Sequence, residues 1–229
     1  MFVTFLEGVT RFCEECGVNT SNLTTVVGQT GQLKKMVNWY ADAWVNIQRA
    51  RQGWKFMRLS TSWALVASQG PYTRLQCGIT AGTFKKWIDG TGRTYYTGNL
   101  NTEQPLDYRA YDSFREVWLN GANRTVTSRP QEFTIAPDDT LIVAPLPIAG
   151  LSASMDYYKN AVRLAADGDT PAVPEGHDDM IIVHLAKKYY GGFYGAKEAY
   201  ATGNVEYMRM YRRLCNDQLP EMSLEGAFR

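Results

Sequence analysis

The sequence predicts an α+β fold: a helical bundle formed by the N- and C-terminal segments, with a β-rich insertion between them and an extended C-terminal tail. Three observations carry this. Apolar residues step at helical spacing from Phe5 to Ile47. Short runs of strand-forming residues, broken by Pro, Gly and Asp, then occupy residues 54–164. Helical spacing returns at His177 and lasts to about residue 217. The predicted division is 1–53 with 165–217 for the bundle, 54–164 for the insertion and 218–229 for the tail.

Taken in order, Thr4-Phe5-Leu6-Glu7 fits a capping box, in which hydroxyl and carboxylate satisfy orphan amides at a helix start. Phe5, Val9, Phe12, Cys13 and Cys16 follow on one helical face, and Gly17 is placed to end it. Residues 19–30 read as a polar loop with a short extended piece at Thr24-Thr25-Val26-Val27. A second helix carries Leu33, Met36, Val37, Tyr40, Trp44 and Ile47, with Gly53 beyond its end. In the insertion, residues 62–67, 133–136, 141–144 and 151–158 read as strands, and Pro137-Asp138-Asp139 as a tight turn joining two of them. Ser113-Phe114-Arg115-Glu116 predicts a short capped helix stopped by Gly121. A turn-rich segment, 167–176, leads to a helix over 177–199. Its Gly191, Gly195 and Ala199, like Gly192 and Ala196, lie four apart and allow close backbone approach; glycine costs about 1 kcal/mol per helical position, so packing must explain them. Thr202-Gly203-Asn204 predicts a break, and Val205, Met208, Tyr211, Leu214 and Cys215 stripe a last helix.

Composition excludes several classes. Apolar residues make up 45% and charged residues 21% of 229, which rules out disorder and fibrous repeats. Aromatics reach 13%, suited to broad packed faces or interfaces. With 24 basic against 23 acidic residues there is no global electrostatic case for nucleic acid or an anionic membrane as the main partner. By segment, 1–53 carry 5 basic and 4 acidic residues, 54–165 carry 12 and 9, and 166–229 carry 7 and 10; the insertion is thus net +3 and the C-terminal part net −3. The uncharged runs 59–73 and 141–155 are interrupted by Pro and Gly, short of the roughly 20 apolar residues a span needs, so no membrane partner is expected. The opening MFVTFLEGVTRF lacks a basic start and does not read as a signal peptide. Cys13, Cys16, Cys77 and Cys215 are too few for a disulfide framework, which makes a reducing compartment the expectation.

No chemical motif is complete. Gly28-Gln29-Thr30-Gly31-Gln32-Leu33-Lys34-Lys35 lacks the spacing of a phosphate loop and its Ser or Thr after the lysine. Cys13-Glu14-Glu15-Cys16 sits at a helix end beside two glutamates, where a thiolate is disfavoured, and zinc would need a second pair of ligands. His177 falls at a helix start beside Asp178 and Asp179, and His184 next to Ile181 and Leu185; neither belongs to a hydrolase pattern. The expectation is therefore no catalytic, cofactor-binding or metal-binding residue, no cofactor and no enzymatic activity. Arg209, Arg212 and Arg213 line one side of the last helix. They suit a helix C-terminus as solvated cations, and the functional alternative is contact with an acidic partner or with DNA in a channel.

The order of elements resembles bacteriophage head-to-tail adaptor proteins, the head-tail connectors similar to tail tubular protein A. The similarity lies in Gly28-Gln29-Thr30-Gly31-Gln32-Leu33-Lys34 running into Val37-Asn38-Trp39 and Ala43-Trp44-Val45-Asn46-Ile47-Gln48. It continues in residues 129–141, Pro145-Leu146-Pro147, Asp156-Tyr157-Tyr158, residues 169–175, His177 and Tyr189-Tyr190-Gly191. Residues 82–104 fit no pattern of the family. The resemblance implies a structural virion protein in the neck between capsid and tail, made in the host cytoplasm. It implies a ring, usually a dodecamer, between the portal protein and a tail or nozzle protein, with genomic DNA passing through the lumen without sequence-specific binding. It also implies that the C-terminal tail reaches into the portal, with Leu219, Met222, Leu224 and Phe228 as its apolar residues and Leu224 and Phe228 as anchors. Two other classes stay open: a small enzyme using Cys13, Cys16 or His184, and a carbohydrate- or host-recognition module built on the aromatic insertion.

Overall fold

The computed structural model describes residues 3–219. Among these the chain forms five α-helices, α1 (Phe5–Glu15), α2 (Gly31–Arg49), α3 (Tyr111–Phe114), α4 (Met180–Tyr194) and α5 (Lys197–Gln218), and several β-sheets, an α+β fold. It divides into two units, one running to Phe56 and resuming at Ala161, the other Met57–Asn160.

In the first unit, α1 starts on the capping box: Thr4 Oγ1 accepts from the Glu7 amide at 3.3 Å and Glu7 Oε2 from the Thr4 amide at 2.9 Å. Its buried face is Phe5, Gly8, Val9, Phe12 and Cys13, and the Phe5 ring stacks on Tyr40 of α2 at 5.7 Å. Along α2, Met36, Tyr40, Trp44 and Ile47 are buried, whereas Leu33 and Val37 are half-buried. Trp54, beyond the end of α2, is fully buried and donates to the Ile47 carbonyl at 3.0 Å. Buried Gln48 exchanges hydrogen bonds with the Val162 backbone in both directions and so ties the returning chain to α2. The extended piece expected at 24–27 does not form. Asp167 Oδ1 accepts from the Val26 amide at 2.6 Å and the Thr25 hydroxyl at 3.0 Å, which satisfies that backbone locally instead of in a strand.

The C-terminal helices depart from the expected boundary. Gly195, at φ +68°, ends α4, and α5 runs without a break through Thr202-Gly203-Asn204. Both Gly191 and Gly203 lie in the α4–α5 contact: a Cβ on Gly191 would fall 2.4 Å from the Tyr200 nitrogen, and one on Gly203 2.8 Å from the His184 oxygen. Helix α4 also packs against α1 and α2: Lys187 Nζ donates to Glu15 of α1 at 2.7 Å, and the Tyr189 hydroxyl accepts from Asn46 of α2 at 2.9 Å. Helix α4 thus contacts α5, α2 and α1.

In the second unit the strands are β1 (Arg58–Ala64), β2 (Pro71–Tyr72), β3 (Phe84–Trp87), β4 (Arg93–Tyr96), β5 (Asn99–Pro105), β6 (Asp107–Tyr108), β7 (Thr127–Ser128), β8 (Glu132–Ile135), β9 (Leu141–Ala144), β10 (Leu146–Pro147) and β11 (Leu151–Lys159). One antiparallel sheet has the order β1-β11-β4-β5, with β3 also on β11. A second has the order β2-β9-β8-β6, in which Pro137-Asp138-Asp139 turns β8 into β9 and Asp139 takes φ +65°. β7 and β10 pair in parallel. Trp63, Tyr72, Phe84, Trp87, Phe133 and Tyr157 belong to this unit's core. Strands β3, β4 and β5 fill the stretch that carried no strand expectation. The expected capped helix also differs: it starts at Tyr111 after Ala110 with no side-chain cap, passes into a π-helical turn over Arg115–Leu119, and Gly121 opens a 3-10 turn rather than stopping the helix. Fully buried Phe114 sets that phase, which leaves Ser113 inside the helix instead of at its cap.

Candidate functional site

The groups that could carry chemistry are held in unreactive settings. Cys13 is buried on α1 and burial pushes its thiol up to about 11; Cys16 and Cys77 are pushed to about 12 by the same cause. A nucleophilic cysteine needs the opposite shift. His184 faces α5 from α4, and burial lowers its pKa; no hydrogen-bond partner for its Nδ1 is present among the described residues. His177 Nε2 lies 3.1 Å from Asp217 Oδ2 and lines a cavity of about 320 Å³ with Arg209, Met210 and Arg213. Among the described residues neither histidine is hydrogen-bonded to a Ser, Thr or Cys side chain. No cluster of three or more His, Cys, Asp or Glu that could hold a metal ion occurs among the described residues. Gly28 and Gly31 take positive φ at the entry to α2, and Thr30 makes no side-chain cap.

The arginines of α5 separate. Arg209 is 70% exposed and pairs with Glu206, one turn back, at 2.6 Å. Arg213 turns toward the loop before α4 and donates to the Gly176 carbonyl at 3.3 Å. Arg212 is exposed, and no ion pair is formed by it among the described residues. Of the tail residues, Leu219 is half-buried and its amide donates to the Cys215 carbonyl at 3.0 Å, closing α5; Met222, Leu224 and Phe228 lie outside the described residues.

What sequence reasoning missed is apolar surface. Val205 and Met208 lie on the side of α5 turned away from its buried residues Gly203 and Leu214 and are 63% and 39% exposed. At the far end of α4, Phe193 is 60% exposed beside Tyr194, both rings packing on Trp39 of α2 at 5.4 and 6.0 Å, with Lys35 Nζ 4.2 Å from the Phe193 centroid. In the second unit the aromatics go inward, since Trp63, Trp87, Phe84 and Tyr157 are core; Tyr96 and Tyr108, on separate strands, are the aromatics exposed as large apolar surface there. Exposed apolar side chains on packed helices, flanked by charges, suit contact with other protein chains.

The sequence model of one family, described as SU10 adaptor protein, matches residues 5–226. No curated protein matches the sequence.

Proposed function

Because this chain belongs to the SU10 adaptor protein family, a family of structural phage adaptors, we propose that it forms a ring in the neck of the virion, between the portal protein and a tail or nozzle protein. The match across 5–226 is the observation that carries this reading. The ring is a dodecamer that lines the channel for genomic DNA, which passes without sequence-specific contact. The subunit is made in the host cytoplasm, and no described helix is long and apolar enough to cross a membrane. Its role is structural, as in the adaptor family, and no catalytic step is assigned to it.

The apolar outer surface of α5 supports an assembly role, since a ring subunit must bury area against neighbours that the isolated chain leaves open. Residues beyond α5 dock into the portal, with Leu224 and Phe228 as anchors and Leu219 and Met222 beside them. The arginines serve an acidic protein surface rather than a DNA track. Arg209 pairs with Glu206 and Arg213 donates to the Gly176 carbonyl, which ties both side chains to the protein itself.

Mass measurement and negative-stain imaging of the purified full chain, alone and mixed with the portal protein of the same phage, test this. A closed ring that stacks on portal is expected; a subunit that stays monomeric and does not bind portal overturns it.

A further inference from the structure

A ring needs two different patches on each subunit, so that one copy's first patch meets the next copy's second. The helical unit carries two such patches, one on α5 and one on α1. On α5, the face turned away from the Gly203 contact presents Val205, Met208, Arg209 and Arg212. On α1, the face turned away from Phe5, Val9 and Phe12 presents Glu7, Thr10 and Glu14. Beside it runs a groove of about 570 Å³ lined by Val3, Leu6 and Leu23 as well as those three residues. Arg11, which also lines it, is drawn to Asp179 at 3.7 Å.

The two faces complement each other in chemistry. One is apolar with basic charge, the other an apolar groove with acidic charge. Glu14 and Arg212 are both exposed, and neither forms an ion pair among the described residues. Among the described residues, no side chain covers Val205 and Met208 and none fills the α1 groove. Each face is turned away from its helix's own buried side.

We propose that the outer face of α5 of one copy docks on the α1 groove of the next, with Val205 and Met208 filling the groove and Arg212 paired with the neighbour's Glu14. This rests on the ring reading above and names the partner of the α5 arginines as a second copy of this chain. The contact is heterologous, so it repeats around the ring and closes by rotation.

Charge reversal tests it on the full-length protein, with portal added for assembly where required. Glu14→Arg and Arg212→Glu each put like charges at the contact, and like charges facing across an interface weaken it strongly. Each single variant should need at least about tenfold more protein to form rings, while its thermal melt stays within a degree or two of wild type, because both positions are exposed and unpaired. The double variant Glu14→Arg with Arg212→Glu restores opposite charges and should form rings near the wild-type concentration. A 1:1 mixture of the two single variants should form rings as well, since alternating copies pair correctly. If the wild type forms rings and both single variants do so equally well, the contact lies elsewhere and only the ring reading stands. Rings that form normally but no longer bind portal overturn the inference in favour of a portal contact. Failure of the double variant to recover also overturns it. A wild type that never assembles, with or without portal, removes the ring reading itself.

Discussion

Gly203 of α5 lies against the His184 carbonyl of α4: a Cβ at this position would sit 2.8 Å from that oxygen and 2.8 Å from the Lys188 nitrogen. Both neighbours are backbone, so neither can swing aside. Gly203→Ala gains about 1 kcal/mol in helix propensity, but overpacking a helix contact costs roughly 1–3 kcal/mol. The larger substitution Gly203→Leu must push α5 off α4. Urea melts should show Gly203→Ala neutral to destabilised and Gly203→Leu destabilised by roughly 2–3 kcal/mol; a Leu variant as stable as wild type would show that the helices do not touch here.

The same glycine marks where sequence reading stops. A helical glycine that makes room for a neighbour and one that ends a helix look alike in one dimension, so Gly203 read as the break and Gly195 as packing, the reverse of what forms. Local signals did transmit: the Thr4–Glu7 capping box, the Met36–Ile47 face of α2 and the turn at Pro137-Asp138-Asp139 are all local in origin. Strands β3 and β5 gave no alternation to read, because β3 buries both ends and β5 is exposed along nearly its whole length. The candidate contact faces were illegible for a related reason. Val205, Met208, Tyr211 and Leu214 follow one another at i, i+3 steps, which drift around the helix, so Val205 falls on the side opposite the buried Leu214 and the stripe does not mark a single face.

The N-terminal cap is a local device with a measurable worth. Thr4 Oγ1 satisfies the Glu7 amide, and the Glu7 carboxylate, held below its usual range by the Thr4 amide and hydroxyl, returns the contact. Thr4→Ala should cost about 1 kcal/mol, read as a lower midpoint in chemical denaturation with unchanged slope. An unchanged midpoint would mean that the helix start is held by other contacts, such as the Phe5 amide donating to the Asp169 carbonyl at 2.7 Å.

His184 predicts a pH dependence with a defined sign. Burial lowers its pKa in the folded chain, an effect that Glu206, Glu15 and Asp178 oppose and Lys187 assists. The unfolded chain therefore binds more protons than the folded one below the ordinary histidine value of about 6.5, and stability rises with pH through that window. The contribution is fully present above about pH 6.5 and is lost as pH falls toward the folded value. Half-exposure keeps the effect small. Urea midpoints at pH 7.5 and 5.5 should fall less on acidification for His184→Gln than for wild type; an equal fall in both assigns the dependence to other groups.

Trp44 anchors the buried face of α2, with its ring 6.2 Å from Phe56 and almost no exposed surface. Trp44→Ala removes one of the larger side chains of the first unit and should cost roughly 3–5 kcal/mol. That is a large part of the total stability of an ordinary domain. A thermal midpoint lowered by less than a degree or two would show that Trp44 is not core.

The last prediction separates folding from docking at the C-terminus. Helix α5 is closed by its own contacts before residue 220: Leu214 is buried, the Leu219 amide donates to the Cys215 carbonyl, and Lys55 Nζ donates to the Asp217 carbonyl at 3.2 Å. Residues 220–229 lie beyond these contacts and carry Met222, Leu224 and Phe228, three large apolar side chains in ten positions. Apolar anchors of this size dominate interface energy once they are desolvated. Under the proposed role, deleting residues 220–229 leaves the thermal midpoint within a degree or two and removes portal binding. Phe228→Ala with Leu224→Ala should weaken that binding by roughly ten- to a hundredfold, from a cost of 1.4–2.8 kcal/mol. Rings of the truncated chain should still form, because the lateral faces on α1 and α5 are intact. A truncated protein that binds portal with unchanged affinity places the docking surface elsewhere, and one whose midpoint drops by many degrees shows instead that the segment folds back on its own bundle.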